Sequence, residues 1–193
     1  MTQLSNTLRM IDAINNEDPN PLITPNGPIS KEVIYSQRMQ NRLSLFLPKA
    51  SEILHIAAYS QHVKRWAIPR SDYPMNKTGY KKWRTALGTF HAETTAQVMK
   101  ENDYDDTAQE RVKYLLQKKG LKKDPETQAL EDIICLVFLE FYLEDFSTKH
   151  NEEKLIGIIQ KTWNKMSDTG RATALTLPIP AALFTLIKKA LNL

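Results

Sequence analysis

From Asp124 to Phe146 the chain reads DPETQALEDIICLVFLEFYLEDF, and this stretch constrains the fold more than any other. Asp124 followed by Pro125 is a helix start. The Asp side chain caps free N–H groups, and proline suits the first turn, where no intrahelical donor is needed. Within that helix, Ile133–Leu143 is apolar on every side. A surface helix keeps a polar face, so a helix apolar all round belongs at the buried centre of a bundle. The sequence predicts this helix over about 125–146.

Most of the remaining chain has helical period. Leu4, Leu8, Ile11 and Ile14 make a short amphipathic opening helix. It ends in Asn15–Pro28, a loop by its Pro19, Pro21, Pro25, Gly27 and Pro28. Ser30 is placed to cap the next helix, which carries Val33, Ile34, Arg38, Leu43 and Leu45 and stops before Pro48. Ser51 caps a third helix reaching Trp66, broken by Pro69. A loop, Asp72–Thr78, leads to a fourth helix over about 79–101. Asp105 or Asp106 starts a fifth, closed by Gly120 after two lysines. A helix over about 152–166 shows Leu155, Ile156, Ile159 and Trp163 on one face. Pro178 and Pro180 precede a last one over 181–191. No strand alternation persists beyond a few residues. The expected fold is all-α, one compact bundle over 1–193.

At 193 residues, 41% hydrophobic and 25% charged, the chain has the material for one ordinary core. Six glycines argue against glycine-rich phosphate loops. A net charge of +4 is mild for a nucleic-acid coat. Cys135, the single cysteine, excludes an intrachain disulfide and sits in an apolar run as a small hydrophobe. The opening residues hold no apolar segment of signal-peptide length, and no run approaches a membrane span. The expectation is a cytoplasmic protein with no membrane partner.

The charge is uneven. Between Ser60 and Glu93, Lys64, Arg65, Arg70, Lys77, Lys81, Lys82 and Arg84 interleave with Trp66, Tyr73, Tyr80 and Trp83. A pure core would not gather cations this way, and a solvated face would not need the aromatics. The mixture suits a groove for an anion. Lys64, Lys81 and Lys82 read as solvated. Arg65, Arg70 and Arg84 stand beside Trp66, Tyr73 and Trp83, where a guanidinium stacks and still forks onto a phosphate. Arg38 in YSQRM is a further candidate.

On the expected third helix His55, Tyr59, His62 and Trp66 share one stripe, and on the fourth His91 points inward. Taken singly, each histidine reads as a core residue bonded to a carbonyl. The buried helix carries Glu131, Asp132 and Glu140 where water is scarce. Buried carboxylates are paired with a cation, bound to a metal or protonated. One reading pairs Asp132 or Glu131 with an arginine. The other brings Asp132 to His62 and His91 around a divalent metal.

That order of His62, His91 and Asp132 on separate helices resembles the HD-domain fold, an all-α phosphohydrolase scaffold. The resemblance implies a metal that activates water against a phosphate ester. The name-giving dyad departs here, because Ala92 follows His91. Glu93 does not replace the missing acid: two residues on is a rotation of about 200°, nearly the opposite helix face. A closer resemblance covers almost the whole chain. IDAINNEDPN, YSQRM, AAYSQHVKRWAIPRSDYP, GYKKWRTALGTFHAE, DPETQALEDIICLVFLEFYLEDF and KTWNKMSDTGRATAL are similar to the family domain of unknown function 4202. Some of its members carry a glutamyl-tRNA synthetase label. This chain has no nucleotide-binding α/β pattern and no signature motif of such an enzyme.

Two functions are therefore expected from the sequence. The first is an HD-like, metal-dependent phosphohydrolase of a small nucleotide or phosphorylated metabolite. There His62, His91 and Asp132 hold the metal, Arg65, Arg70 and Arg84 hold the phosphate, and Glu131 or Glu140 places the water. The second is a non-catalytic protein whose groove, with Arg38, Trp66, Tyr73 and Trp83 on its walls, binds an anionic ligand or RNA.

Overall fold

The computed structural model describes residues 2–25 and 27–193. Ten α-helices and one two-stranded antiparallel sheet form the regular structure of these residues. The span read as one bundle divides into two compact units, Met1–Lys119 and Gly120–Leu193.

The first unit holds α1 (Gln3–Asn15), β1 (Pro21–Thr24), β2 (Gly27–Ser30), α2 (Lys31–Phe46), α3 (Glu52–Tyr59), α4 (Lys77–Lys100) and α5 (Asp106–Leu116). Four of its helices start on a side-chain cap: Thr2 before α1, Ser51 before α3, Asn76 before α4 and Asp105 before α5 each accept a backbone N–H of the first turn. Ile11, Met39, Leu43, Leu54, Ile56, Leu87, Met99 and Leu115 fill the core. The longest helix, α4, packs along α5 and against α1, while α3 packs on α1, α2 and α5.

Three features depart from the sequence reading. The loop Asn15–Pro28 contains a hairpin, with Leu22 opposite Ile29 and Ile23 opposite Pro28. Its prolines masked it. A two-stranded ribbon consists only of edges, so Pro21 and Pro28 cost it no inner ladder bond. Gly27 supplies a φ of +104° that a side chain would resist. Secondly, Ser30 precedes α2 without capping it; its hydroxyl donates to the Asn15 carbonyl.

Thirdly, α3 stops at Tyr59 rather than reaching Trp66. Side chains from elsewhere take the backbone groups a longer helix would use. The Asn15 Oδ1 accepts the Lys64 N–H at 3.0 Å, and His91 donates to the Val63 carbonyl at 2.8 Å. Lys64 turns the chain with a φ of 51°, and Arg65–Ala67 and Arg70–Asp72 form single 3-10 turns. The expected stripe of His55, Tyr59, His62 and Trp66 does not form. His55 bonds Gln40, and Tyr59 donates to Asp12.

The second unit holds α6 (Pro125–Phe141), α7 (Leu143–Ser147), α8 (Glu152–Lys165), α9 (Asp168–Ala174) and α10 (Ala181–Leu191). Asp124 caps α6 as expected, accepting the Thr127 N–H. Leu130, Ile133, Cys135, Leu136, Val137 and Leu139 of α6 are buried. The expected helix to Phe146 is interrupted at Tyr142, whose φ of −125° leaves helical geometry and lets α7 start anew. No apolar period announces α9, which is seven residues long and capped by Ser167. Among the described residues no helix is long and apolar enough to cross a membrane.

Candidate functional site

The site lies in the first unit and is built from α2, the turn after α3, and α4. Glu32 sits in the first turn of α2 and Tyr35 one turn on. The break after Tyr59 releases His62 and Arg65 from α3, so both turn toward these side chains. Trp83, Arg84 and His91 come from α4. Arg84 and His91 are two turns apart and share one side of that helix.

The His62 ring stacks on Tyr35, with centroids 3.6 Å apart and planes 9° from parallel. Its Nδ1 lies 3.1 Å from the Glu32 carboxylate and its Nε2 lies 3.4 Å from Arg65 Nη1. Because a guanidinium only donates, His62 Nε2 is the acceptor and Nδ1–H donates to Glu32. His91 stands 6.3 Å away, ring to ring. Its Nδ1–H donates to the Val63 carbonyl, which only accepts, so its Nε2 also carries the lone pair. His91 is 4% exposed, and no protein group reaches that Nε2.

Arg65 spreads over the Trp83 ring with its Cζ 4.8 Å from the ring centre. Trp83 is itself pinned, donating its Nε1–H to the Ile68 carbonyl at 2.9 Å. Arg84 is exposed and makes no hydrogen bond or ion pair among the described residues.

Burial dominates the electrostatics, and the cations add to it. Burial, then Arg65, His91, Arg84 and Lys118, hold His62 well below the ordinary histidine range. Burial pushes His91 down to about 3; its bond to Val63 opposes this, while Arg65 and Arg84 reinforce it. Burial pushes Glu32 up to about 7 against the pull of Arg65. Burial and Arg84 lower even the Arg65 guanidinium from its usual value. Both imidazoles are therefore neutral near pH 7, beside the cations Arg65 and Arg84. An anion placed there would relieve the repulsion between Arg65 and Arg84.

Arg70 lies beside this cluster, its Cζ 5.9 Å from the Trp83 ring centre, but its guanidinium is spent on its own loop. It donates to the carbonyls of Tyr73 at 2.9 Å, Pro74 at 2.7 Å and Asn76 at 3.4 Å. Tyr73 and Trp66 are half-buried near it in sequence, and Arg38 is half-buried on α2. Tyr80 is 51% exposed. Gly79 closes the loop: a Cβ there would lie 2.0 Å from the Pro74 carbonyl oxygen. Gly79→Ala must therefore move the chain, and Arg70→Ala removes the bonds that set the loop. Arg70→Ala is expected to cost about 1.5–3 kcal/mol. Both variants should be cut faster by protease between residues 69 and 79. Unchanged cleavage would show that neither residue sets the loop.

The acids of α6 have partners in their own unit. Asp132, 2% exposed, accepts the Ser167 N–H at 2.7 Å and the Gln128 amide at 3.1 Å on Oδ1, and the Ser167 hydroxyl at 2.6 Å on Oδ2. Glu131 pairs with Lys165 at 3.3 Å, a lysine where an arginine was expected. Glu140 is half-buried. The metal expectation meets a shortfall of donors. His62 and His91 present two Nε2 lone pairs, but Arg65 faces one of them, and both Asp132 oxygens are engaged. Among the described residues no three His, Cys, Asp or Glu side chains are grouped to hold a metal ion. Catalytic zinc sites use three protein ligands, so the residues present do not fit the implied metal.

Sequence reasoning missed Glu32. An acid in a first helical turn is ordinarily read as a partner for the helix dipole. Only its burial, 8% exposed, marks it out.

No curated protein matches this chain. No solved structure matches it either. The chain belongs to the family described as Domain of unknown function (DUF4202), which matches it over residues 5–187.

Proposed function

We propose that the first unit binds a phosphorylated small molecule, with the phosphate on Arg65 and Arg84 and Trp83 as the wall beneath it. The observation that supports this is an Arg65 guanidinium spread over an indole and repelled by Arg84, which is itself free of any ion pair among the described residues. A phosphate accepts from both forks and neutralises their repulsion.

Sulfate isolates the anion term because it carries no donor. Calorimetry should find that Arg84→Ala weakens sulfate binding at least tenfold, the loss of one charge-assisted bond at about 1.5–3 kcal/mol. Affinity should also fall as pH rises through about 7, where Glu32 becomes a carboxylate beside the anion. Unchanged affinity in Arg84→Ala would sink the reading. So would tight binding of an RNA oligonucleotide with none of sulfate or a sugar phosphate.

Turnover is a second reading, favoured by the Glu32–His62 contact. A carboxylate that fixes a neutral imidazole with its lone pair on Nε2 is the arrangement of a general base, once Arg65 turns from that nitrogen to the phosphate. His62 Nε2 would take a proton from water as the water oxygen bonds to phosphorus. The P–O ester bond breaks and the proton passes to the leaving alkoxide. The HD-like resemblance belongs with this reading. Inorganic phosphate released from an aryl phosphate, and lost in His62→Asn, would support it.

A further inference from the structure

We infer that His91 reads a hydroxyl group on the ligand, so that the site takes a hydroxyl-bearing phosphoester, such as a sugar phosphate or a nucleotide, and rejects its deoxy analogue. This rests on the anion reading above and adds the ligand's second recognition point.

Three facts carry it. The Val63 carbonyl fixes the tautomer by accepting Nδ1–H at 2.8 Å, so Nε2 is an acceptor and nothing else. His91 is 4% exposed, and no protein group satisfies that nitrogen. The ring sits 6.3 Å from His62, in the cluster that Arg65 and Arg84 complete. A buried polar atom without a partner destabilises the fold, so its retention calls for a partner that arrives with the ligand. A dianionic phosphate ester offers only acceptors. It satisfies the two arginines and leaves Nε2 unmet. A hydroxyl near the phosphate supplies the missing donor. Sites that hydrogen-bond a substrate hydroxyl reject the analogue lacking it, because the site's own polar group is then stranded.

The experiment is calorimetry of the full chain with sulfate, ribose 5-phosphate and its 2-deoxy and 3-deoxy analogues. The wild type should bind ribose 5-phosphate at least tenfold more tightly than one of the deoxy compounds. His91→Asn places an amide donor where Nδ1–H stood and removes the acceptor. It should bind all three sugar phosphates alike and leave sulfate unchanged. His91→Gln, which returns an acceptor near the Nε2 position, should restore the preference. If His91→Asn does not fold, nitrogen NMR of wild-type His91 gives the answer: Nε2 should shift with ribose 5-phosphate and not with the poorer deoxy analogue. Equal wild-type affinities for all three sugar phosphates would overturn the inference while sulfate binding kept the anion reading. Loss of sulfate binding as well would take both down. Stoichiometric metal on His91 Nε2 in elemental analysis would also overturn it.

Discussion

Replacing Asp132 with alanine is expected to destabilise the second unit by about 1.5–3 kcal/mol, the range for losing hydrogen bonds to a charged group and stranding their buried donors. The carboxylate is nearly inaccessible and accepts three hydrogen bonds. Two come from Ser167, whose hydroxyl in turn accepts the Gly170 N–H and so starts α9. Without Asp132 the Ser167 N–H and hydroxyl lose their acceptor, and α9 loses its attachment to α6. The fit is close: a Cβ on Gly170 would lie 2.6 Å from Asp132 Oδ1. Gly170→Ala should therefore reproduce much of the loss. Asp132→Asn, similar in shape but with one acceptor turned into a donor, should lose less than Asp132→Ala. Hydrogen exchange across residues 120–193 under native conditions measures the effect. Retained protection together with loss of a bound metal would instead make Asp132 a ligand.

Asp132 also shows where sequence reasoning ran out. The sequence states that a carboxylate sits on an apolar helix, and burial then demands a partner. It does not state which partner, because Ser167 is 35 residues away on a helix without apolar period. Helix starts were legible because their chemistry is local. Asp124 with Pro125, and Ser51, cap as read, and of Asp105 and Asp106 it is Asp105 that caps α5, whereas Ser30 does not cap α2. The end of α3 was not legible, because Asn15 and His91 end it from elsewhere in the chain. That break carries His62 and Arg65 into the site. His62 and His91 stand 6.3 Å apart, ring to ring, through a turn rather than a helical stripe. Arg70 looked like a ligand arginine because a loop cation beside aromatics reads that way, and its three carbonyl partners follow only from the loop's closure at Gly79.

Acid should unfold the first unit steeply, and the cause is two histidines that fold neutral. His91 titrates at about 3 when folded against an ordinary 6.5, and His62 is depressed well below its ordinary value. Below pH 6.5 the unfolded chain binds these protons and the folded chain does not, so stability falls as pH falls. Each such group costs about 1.4 kcal/mol per pH unit until its folded pKa is reached. Glu32 works in the opposite sense. Its folded pKa is about 7 against 4.5, so the folded state holds the extra proton between those values and gains stability on acidification. From pH 6.5 to 4.5 Glu32 therefore offsets one of the two histidines, and the net loss is gradual. Below about 4.5 its contribution is complete, and His91 acts unopposed down to about pH 3, with the depressed His62 adding to the loss. Denaturant unfolding at pH 7, 5.5 and 4 should show a small drop over the first interval and a larger one over the second. His91→Phe, which cannot titrate, should bind about one proton fewer on unfolding at pH 4 and flatten the acid limb. Glu32→Gln should do the reverse, steepening the loss between pH 6.5 and 4.5 because the offset is gone. An acid limb as steep in His91→Phe as in the wild type would mean that His91 is not neutral in the folded protein. Its Nε2 would then carry a proton and act as a donor, and the cluster with Arg65 and Arg84 would be wholly cationic.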